Sequence, residues 1–351
     1  MEAWKNSLAA ASRFLHHHFL WCLVGAYVLA SYAPYLGLWI RNRKFEFSPW
    51  SGWGISIPSL MLSLLLFNAG LGIQIDRLRE LIRRPSILIG GHVASLAVPL
   101  LFILGASLTL RFWHNHAEVQ SILVGLALVA SMPVAGSSTA WSQNANGDMV
   151  LSLGLVVLST FLSPVTTPAV LHVAGWVASG EYADSLKALA SNQTSFFLMA
   201  FVFLPSLFGI IVRCLLPENF LRAAKPLLKL TNMVDVLVLC YSNAAVALPQ
   251  TVSNPDWDFL FCILLVVSAM CVLGFGTGWL VARVFSADEA RQSSLVFGLG
   301  MTNNGTGLVL AASALSHLPS TVLPIIFYNL VQHIVAACAD RLQRRAAHAA
   351  C

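Results

Sequence analysis

Two runs of hydroxyl, amide and glycine residues interrupt otherwise apolar parts of the chain. The first run covers residues 133–144, PVAGSSTAWSQN, and the second covers residues 298–307, GLGMTNNGTG. Glycine and proline loosen a helical backbone, while hydroxyls and amides supply oxygen atoms that can ligate a cation. Polar runs inside a membrane are costly and are usually functional. We therefore expect ion or solute binding at both runs, with helix–helix packing by small residues as the alternative.

Membrane-spanning helices are the elements that must position these runs. Of the 351 residues, 57% are hydrophobic and only 10% are charged, whereas a soluble domain carries about 25% charged residues. A spanning helix needs about 20 apolar residues. Ten stretches meet this requirement: 20–40, 55–74, 86–110, 119–143, 149–176, 195–216, 228–249, 259–284, 292–315 and 320–339. The composition therefore excludes a soluble protein and predicts an all-α polytopic membrane protein with ten transmembrane helices.

The basic residues predict the orientation of these spans. With ten spans, fifteen of the 20 Lys and Arg residues fall on the side that holds both termini. Cytoplasmic loops carry the excess of Lys and Arg, so both termini are expected in the cytoplasm. The first apolar stretch is longer than the h-region of a signal peptide, roughly 7–15 residues. It is therefore interpreted as a retained span. The formal net charge of the chain, +5, does not indicate nucleic-acid binding, because the basic residues are scattered in short clusters between apolar stretches.

The polar runs occupy matching places in the fourth and ninth spans. If the chain consists of two five-span repeats, residues 1–180 and 181–351, the odd number of spans makes the repeats inverted in the membrane. Interrupted helices at matching positions of inverted repeats indicate a transport site near the midplane. We expect helices 4 and 9 to be broken near Gly136 and near residues 300–304, and to cross there.

Several polar residues are candidates for the site. The crossover and substrate candidates are Gln143, Asn303, Asn304 and Asn329, and we expect Asn303 and Asn304 to line the crossover with Ser138 and Thr139. Asp235 is the carboxylate placed well inside a span, and it is a possible coupling group. A hydrated position at the cytoplasmic rim of span seven is the alternative for Asp235.

Three stretches resemble the bile acid:sodium symporter family. The strongest, residues 132–168, matches the fourth and fifth spans of that family without a gap. Residues 67–71, which precede Arg83-Arg84-Pro85, and residues 300–305 resemble two further family motifs. The resemblance implies two inverted five-helix repeats, with a panel of spans 1, 2, 6 and 7. It also implies a core of spans 3, 4, 5, 8, 9 and 10, in which broken spans 4 and 9 cross at sodium sites.

The resemblance also implies a set of ion-binding residues. The candidate sodium ligands are Ser138, Thr139, Ser152, Met301 and Thr302. The central glutamate of the family falls on Gly298, and a family threonine falls on Val156. Neither residue has a side-chain oxygen, so sodium binding would be weaker, unless a carboxylate of the substrate compensates the charge of the ion.

These observations predict a secondary active transporter that carries an organic anion by sodium-coupled symport. We expect the protein in the cell membrane, namely the inner membrane of a bacterium. A sodium-independent carrier, proton-coupled or facilitative, is the first alternative. A membrane enzyme or sensor is the alternative from another class, although no nucleophile–base pair, metal cluster or output domain supports it. The expected partners are the organic anion, sodium ion and membrane lipid, with no cofactor, no nucleic acid and no required oligomer.

Overall fold

The fold is known from a computed structural model that describes residues 15, 18–46, 54–73, 85–315 and 317–350. Lys5, Arg13 and the basic residues of 77–84, which contribute to the predicted orientation, lie outside the described residues. The described chain is mostly helical. Its β-structure is a small antiparallel pair, in which β1, Lys44–Glu46, is hydrogen-bonded to β2, Gly54–Ser56.

The chain divides into two compact units, Met1–Ile73 with Met199–Pro255, and Gln74–Leu198 with Asp256–Cys351. The helices of the first unit are α1 (Phe19–Tyr32), α2 (Tyr35–Asn42), α3 (Ile57–Leu71), α10 (Leu204–Leu215), α11 (Glu218–Ala244) and α12 (Leu248–Ser253). Those of the second are α4 (Pro85–Thr109), α5 (His116–Ser131), α6 (Ser137–Asn144), α7 (Met149–Ala174), α8 (Gly180–Leu189), α9 (Asn192–Leu198), α13 (Trp257–Val284), α14 (Glu289–Gly300), α15 (Asn304–Ala314) and α16 (Leu323–Ala350). Short 3₁₀ or π turns occur at Leu110–Phe112, Met199–Phe203 and Pro319–Val322.

In the first unit, proline and serine determine where helices begin and bend. The predicted first span is two helices, α1 and α2, with axes that differ by 93°. Pro34 precedes the second of them, and a proline within a helical stretch removes a hydrogen-bond donor and breaks the helix. Helix α3 begins after Ser56, whose hydroxyl accepts a 3.2 Å hydrogen bond from the Ser59 nitrogen. This is an ordinary N-cap.

In the second unit, aspartates cap the helices that carry the site. Asp148 Oδ1 accepts hydrogen bonds from the nitrogens of Val150 at 2.9 Å and Leu151 at 3.2 Å, at the start of α7. Asp256 caps α13 and Asp288 caps α14 in the same way. A capping carboxylate satisfies free N–H groups and interacts favourably with the positive end of the helix.

Five described helices are long and apolar enough to cross a membrane, or six when the bent pair of α1 and α2 is one span. They are Pro85–Phe112, Met149–Ala174, Gln193–Leu215, Trp257–Val284 and Pro319–Gln343. Predicted spans 2, 4 and 9 correspond to shorter helices, because α3 has 15 residues and the other two spans are interrupted. Predicted span 7 lies mostly in α11, which is long but is not among the five helices. The fold is thus that of a multi-pass helical membrane protein.

Candidate functional site: a crossover of two broken helices

The second unit contains two helices that stop and restart in mid-course. Helix α5 ends at Ser131 and α6 begins at Ser137, so residues 132–136 are not helical. Helix α14 ends at Gly300 and α15 begins at Asn304. The two interruptions fall within the polar runs, as predicted.

The two interruptions are hydrogen-bonded to each other through the main chain. Val134 and Thr302 form an isolated antiparallel bridge. The Ala135 nitrogen donates to the Met301 oxygen at 3.0 Å, and the Asn303 nitrogen donates to the Pro133 oxygen at 2.8 Å. A broken helix leaves N–H and C=O groups unsatisfied, and inside a membrane they need partners within the protein. Here each break supplies partners for the other.

Side chains from two neighbouring helices complete the support of the crossover. On α7, Ser159 Oγ accepts a 3.0 Å hydrogen bond from the Val134 nitrogen. On α16, Gln332 Oε1 accepts a 3.1 Å bond from the Thr302 nitrogen. Gln332 Nε2 in turn donates to Asn329 Oδ1 at 3.2 Å. The breaks are therefore held from both sides by groups far away in sequence.

Glycine on α13 allows that helix to lie directly against α14. A Cβ atom at Gly274 would lie 3.1 Å from the Leu299 oxygen, and a Cβ at Gly278 would overlap the Leu295 oxygen. Any larger residue would push α14 away. Because α14 leads into the crossover at Gly300, this close packing holds the segment that precedes the second break.

Besides the two ring nitrogens of His92 on α4, four buried polar atoms of this unit have no hydrogen-bond partner among the described residues. They are Ser138 Oγ, Ser152 Oγ, Thr306 Oγ1 and Asn304 Nδ2. Their residues are at most 1% exposed. Leaving such a group unsatisfied costs about 1–3 kcal/mol, so these atoms are the natural places for a ligand. Three of them are hydroxyl oxygens, which suit a cation.

The other predicted site residues take different roles in the structure. The hydroxyl of Thr139 donates to the Gly136 oxygen at 2.7 Å, and the Thr302 hydroxyl donates to Asn304 Oδ1 at 3.4 Å. Asn303 Oδ1 accepts from the Thr306 nitrogen and caps α15. Met301 is fully buried and contributes its carbonyl oxygen to the crossover. Gln143 is exposed near the end of α6.

Residue 298, on which the central glutamate of the resembled family falls, supplies no carboxylate to α14. Gly298 is buried in α14, and a Cβ atom there would lie 2.8 Å from Leu155 Cδ1. The direction in which a longer side chain would extend is thus filled by a buried leucine. The described residues also contain no group of three or more His, Cys, Asp or Glu side chains that could hold a metal ion. Residue 298 therefore offers no carboxylate to a cation.

A second contact between the broken helices was not predicted from the sequence. Ser142 Oγ on α6 lies 2.8 Å from Ser294 Oγ on α14, and Ser294 Oγ donates to the Asp148 oxygen at 2.8 Å. Asp148 Oδ2 lies 3.5 Å from Arg291 Nε. Single serines within spans are too common to signal such a contact, although Gly147-Asp148 lies in the stretch that carries the family resemblance.

Asp235 belongs to the first unit and not to the crossover. It lies on α11 and is only 5% exposed. Its Oδ2 atom has no hydrogen-bond partner among the described residues. The low exposure favours a buried position over the hydrated rim that the sequence left open.

The fold and the crossover together define a class of protein. Helices that break and supply hydrogen bonds to each other, within a chain of several membrane spans, are typical of secondary transporters. Residues 59–254 match the Sodium Bile acid symporter family. The chain belongs to this family and is therefore a membrane transporter, not an enzyme.

Individual relatives agree with this assignment. The chain is 26% identical to the uncharacterized sodium-dependent transporter YocS of Bacillus subtilis, over 86% of this chain and 89% of that protein. It is 25% identical to the probable sodium/metabolite cotransporter BASS1, chloroplastic, of Arabidopsis thaliana, over 82% of this chain and 66% of that protein. It is 22% identical to the human ileal sodium/bile acid cotransporter, over 80% and 75% respectively.

Proposed function

We propose that this protein is a secondary active transporter that carries a small organic anion across the cell membrane by symport with sodium. The observation that carries the proposal is the hydrogen-bonded crossover of two broken helices beside buried, unpartnered hydroxyls. The names of the relatives support sodium coupling and organic substrates, namely bile acids for one and metabolites for another.

The crossover offers complementary groups for a cation and an anion. The hydroxyls of Ser138 and Ser152, together with carbonyl oxygens of the breaks, are suitable ligands for sodium. Helices α6 and α15 both begin at the breaks, and the N-terminal end of a helix carries partial positive charge. An organic anion bound near these ends would be stabilised, and it would compensate the charge of the ion. Thr139, Met301, Thr302, Asn304, Asn329 and Gln143 are the further candidates for this site.

A sodium-independent carrier is the second candidate function. The observation that favours it is the packing of Leu155 over Gly298, which leaves the crossover without a carboxylate. In that case the substrate would move alone or with a proton.

Uptake into proteoliposomes decides between the two candidates. A set of organic anions, including a conjugated bile acid and a short keto acid, is tested with and without a sodium gradient. Sodium-stimulated uptake of any member supports symport, whereas equal uptake in both conditions supports the second candidate. A protein that moves no member of a broad set would contradict the substrate class.

Variants of the crossover test whether the unpartnered atoms bind ligand. We expect Ser138→Ala and Asn304→Ala to insert and fold but to lose the thermal stabilisation that sodium or substrate gives, since a ligand stabilises only the state that binds it. Ser313→Ala is the matched control, because its exposed hydroxyl lies on the same helix as Asn304. Wild-type stabilisation of both variants would remove these atoms from the site.

The same proposal includes ten spans, both termini in the cytoplasm, and inverted repeats at residues 1–180 and 181–351. The matched breaks support it, and so does the first unit, which contains predicted spans 1, 2 and 7 and most of span 6. Cysteines introduced at Phe45, which is 52% exposed, and at Arg345 should react with impermeant reagents from opposite sides. If both positions reacted from the same side, the ten-span topology would be wrong.

A further inference from the structure

The first unit contains a buried carboxyl group that no interaction of the described residues explains. Asp235 is 5% exposed, and its Oδ2 atom is fully buried without a hydrogen-bond partner among these residues. It also takes part in none of the ion pairs found there. A buried, unpaired carboxylate is among the most costly groups that a protein can contain. Its presence therefore requires a compensating ligand or a neutral form.

The helices around α11 offer little charge for compensation. The helices that pack on α11 within the unit are α1, α2 and α3. Their ionisable side chains are Cys22, Tyr27 and Tyr32 on α1, and Tyr35 and Arg41 on α2, while α3 has none. On α11 itself, the nearest ionisable residues along the chain are Lys229 and Cys240, and neither is paired with Asp235. The surroundings thus contain mostly neutral groups.

A pair of amides lies one helical turn from the carboxyl group. Asn232, three residues before Asp235, shares its helix face. Asn232 Oδ1 accepts a 2.9 Å hydrogen bond from Asn68 Nδ2 on α3. This amide pair is a polar feature of α3 and α11 beside an otherwise apolar stretch, and Asn68 is itself only 6% exposed. One amide pair therefore lies on the helix face that carries Asp235.

A proton suits this group better than a metal ion does. Metal ions need several oxygen ligands, as calcium and magnesium show, and no second carboxylate accompanies Asp235. A proton needs no ligand besides the carboxylate: it bonds to one oxygen, removes the negative charge, and turns the group into a hydrogen-bond donor.

We propose that Asp235 is a proton-binding site in the first unit, and that it binds and releases this proton during the transport cycle. The second part rests on the proposed transport function. Binding converts the carboxylate and one proton into a neutral carboxyl group, and release reverses this. In a carrier that moves no sodium, one proton carried with a singly charged organic anion would make the step electrically neutral.

Infrared spectroscopy tests the proton site without any substrate. The protein is reconstituted with isotopically labelled aspartate, and the carbonyl band of protonated carboxyl groups is followed from mildly acidic to mildly alkaline pH. We expect a band that shifts with the label, titrates in this range, and disappears in Asp235→Asn. The Asn side chain mimics the neutral carboxyl group, so this variant should fold. Asp184→Asn is the control, because the Asp184 side chain is 78% exposed.

Two outcomes would overturn the proton site. One is the absence of any Asp235-dependent band over the whole range. The other is loss of the band when sodium is added at fixed pH, which would make Asp235 a sodium ligand instead.

A second measurement tests the coupling. With any anion that proteoliposomes take up, an inward proton gradient should stimulate uptake by the wild type and by Asp184→Asn. Asp235→Asn should lose this stimulation. Stimulation that persists in Asp235→Asn would refute the coupling. If no anion is transported at all, the proposed function fails, while the infrared result still decides the proton site.

Discussion

Leu155 packs over Gly298, and its Cδ1 atom lies 2.8 Å from the position that a Cβ atom at residue 298 would take. Leu155 is fully buried on α7 and belongs to an apolar cluster with Leu151, Leu295 and Leu299. A carboxylate at residue 298 would therefore lie against the apolar side chain of Leu155. Restoring one needs a second change that makes room for it.

The first prediction concerns the double variant Gly298→Glu, Leu155→Ala. The added carboxylate should attract a cation bound near the buried hydroxyls of the crossover, because oppositely charged groups interact strongly in a low-dielectric interior. We expect the apparent sodium affinity to rise about tenfold, equivalent to ~1.4 kcal/mol. Sodium-dependent thermal unfolding measures it.

The matched control is Gly298→Gln, Leu155→Ala, which has a similar volume and no charge. Gly298→Glu alone should be poorly folded because Leu155 blocks it. If both double variants respond to sodium as the wild type does, no cation binds near residue 298.

The second prediction uses two glycines on α13. At Gly278, a Cβ atom would overlap the main chain of α14, whereas at Gly276 it would meet nothing within 4 Å. Gly278→Ala should therefore lower stability by about 1–3 kcal/mol through overpacking. Gly276→Ala should be neutral, or stabilising by less than about 1 kcal/mol, because alanine is the better helix former. Thermal unfolding of the two variants in one detergent provides the comparison, and equal melting temperatures would refute the packing described for α14.

The places of the two helix breaks could be predicted because their signals are local. Pro133 and Gly136 in one run, and Gly300 with Asn303 in the other, loosen the backbone where the chain is otherwise apolar. Their partners could not be predicted in the same way. The bonds from Ser159 and Gln332 join residues 25 and 30 positions apart in sequence, and a single sequence contains no record of such pairs.

The predicted spans agree less well with the helices of the structure where a charged residue or a proline is present. The predicted span begins at residue 228, because Lys225 lowers the hydropathy of the segment before it. Helix α11 nevertheless begins ten residues earlier, at Glu218. The predicted first span ignored Pro34, at which the chain bends by 93° between α1 and α2. Hydropathy identifies segments that partition into lipid, while helix bounds depend on caps and backbone restrictions.

The third prediction concerns Asn303, which has a different role from the adjacent Asn304. Asn303 caps α15 through a 3.3 Å hydrogen bond from the Thr306 nitrogen to its Oδ1 atom. Asn303→Ala should cost about 1 kcal/mol, and Asn303→Ser should restore most of it, since serine is also a good N-cap. Melting temperatures without ligand provide the measurement. An alanine variant as stable as the serine variant would show that the cap contributes nothing.

The last prediction concerns Asp148, which has two separable roles. Its Oδ1 atom caps α7, and its Oδ2 atom lies 3.5 Å from Arg291 Nε on α14. Asp148→Asn keeps an oxygen for the cap and loses the ion pair, whereas Asp148→Ala loses both. The side chains of the pair are 26% and 28% exposed, so solvent and salt screen their attraction. A pair of this kind contributes at most about 1 kcal/mol, while loss of the cap costs about 1 kcal/mol more.

We therefore expect the order of stability to be wild type, then Asp148→Asn, and finally Asp148→Ala. High salt should narrow the gap between the wild type and Asp148→Asn, because only the ion pair is screened. It should leave the gap between the Asn and Ala variants unchanged. Thermal unfolding at low and high salt tests both statements. An Asn variant as unstable as the Ala variant would mean that the charge of Asp148, rather than its capping oxygen, holds the loop between α6 and α7 against α14.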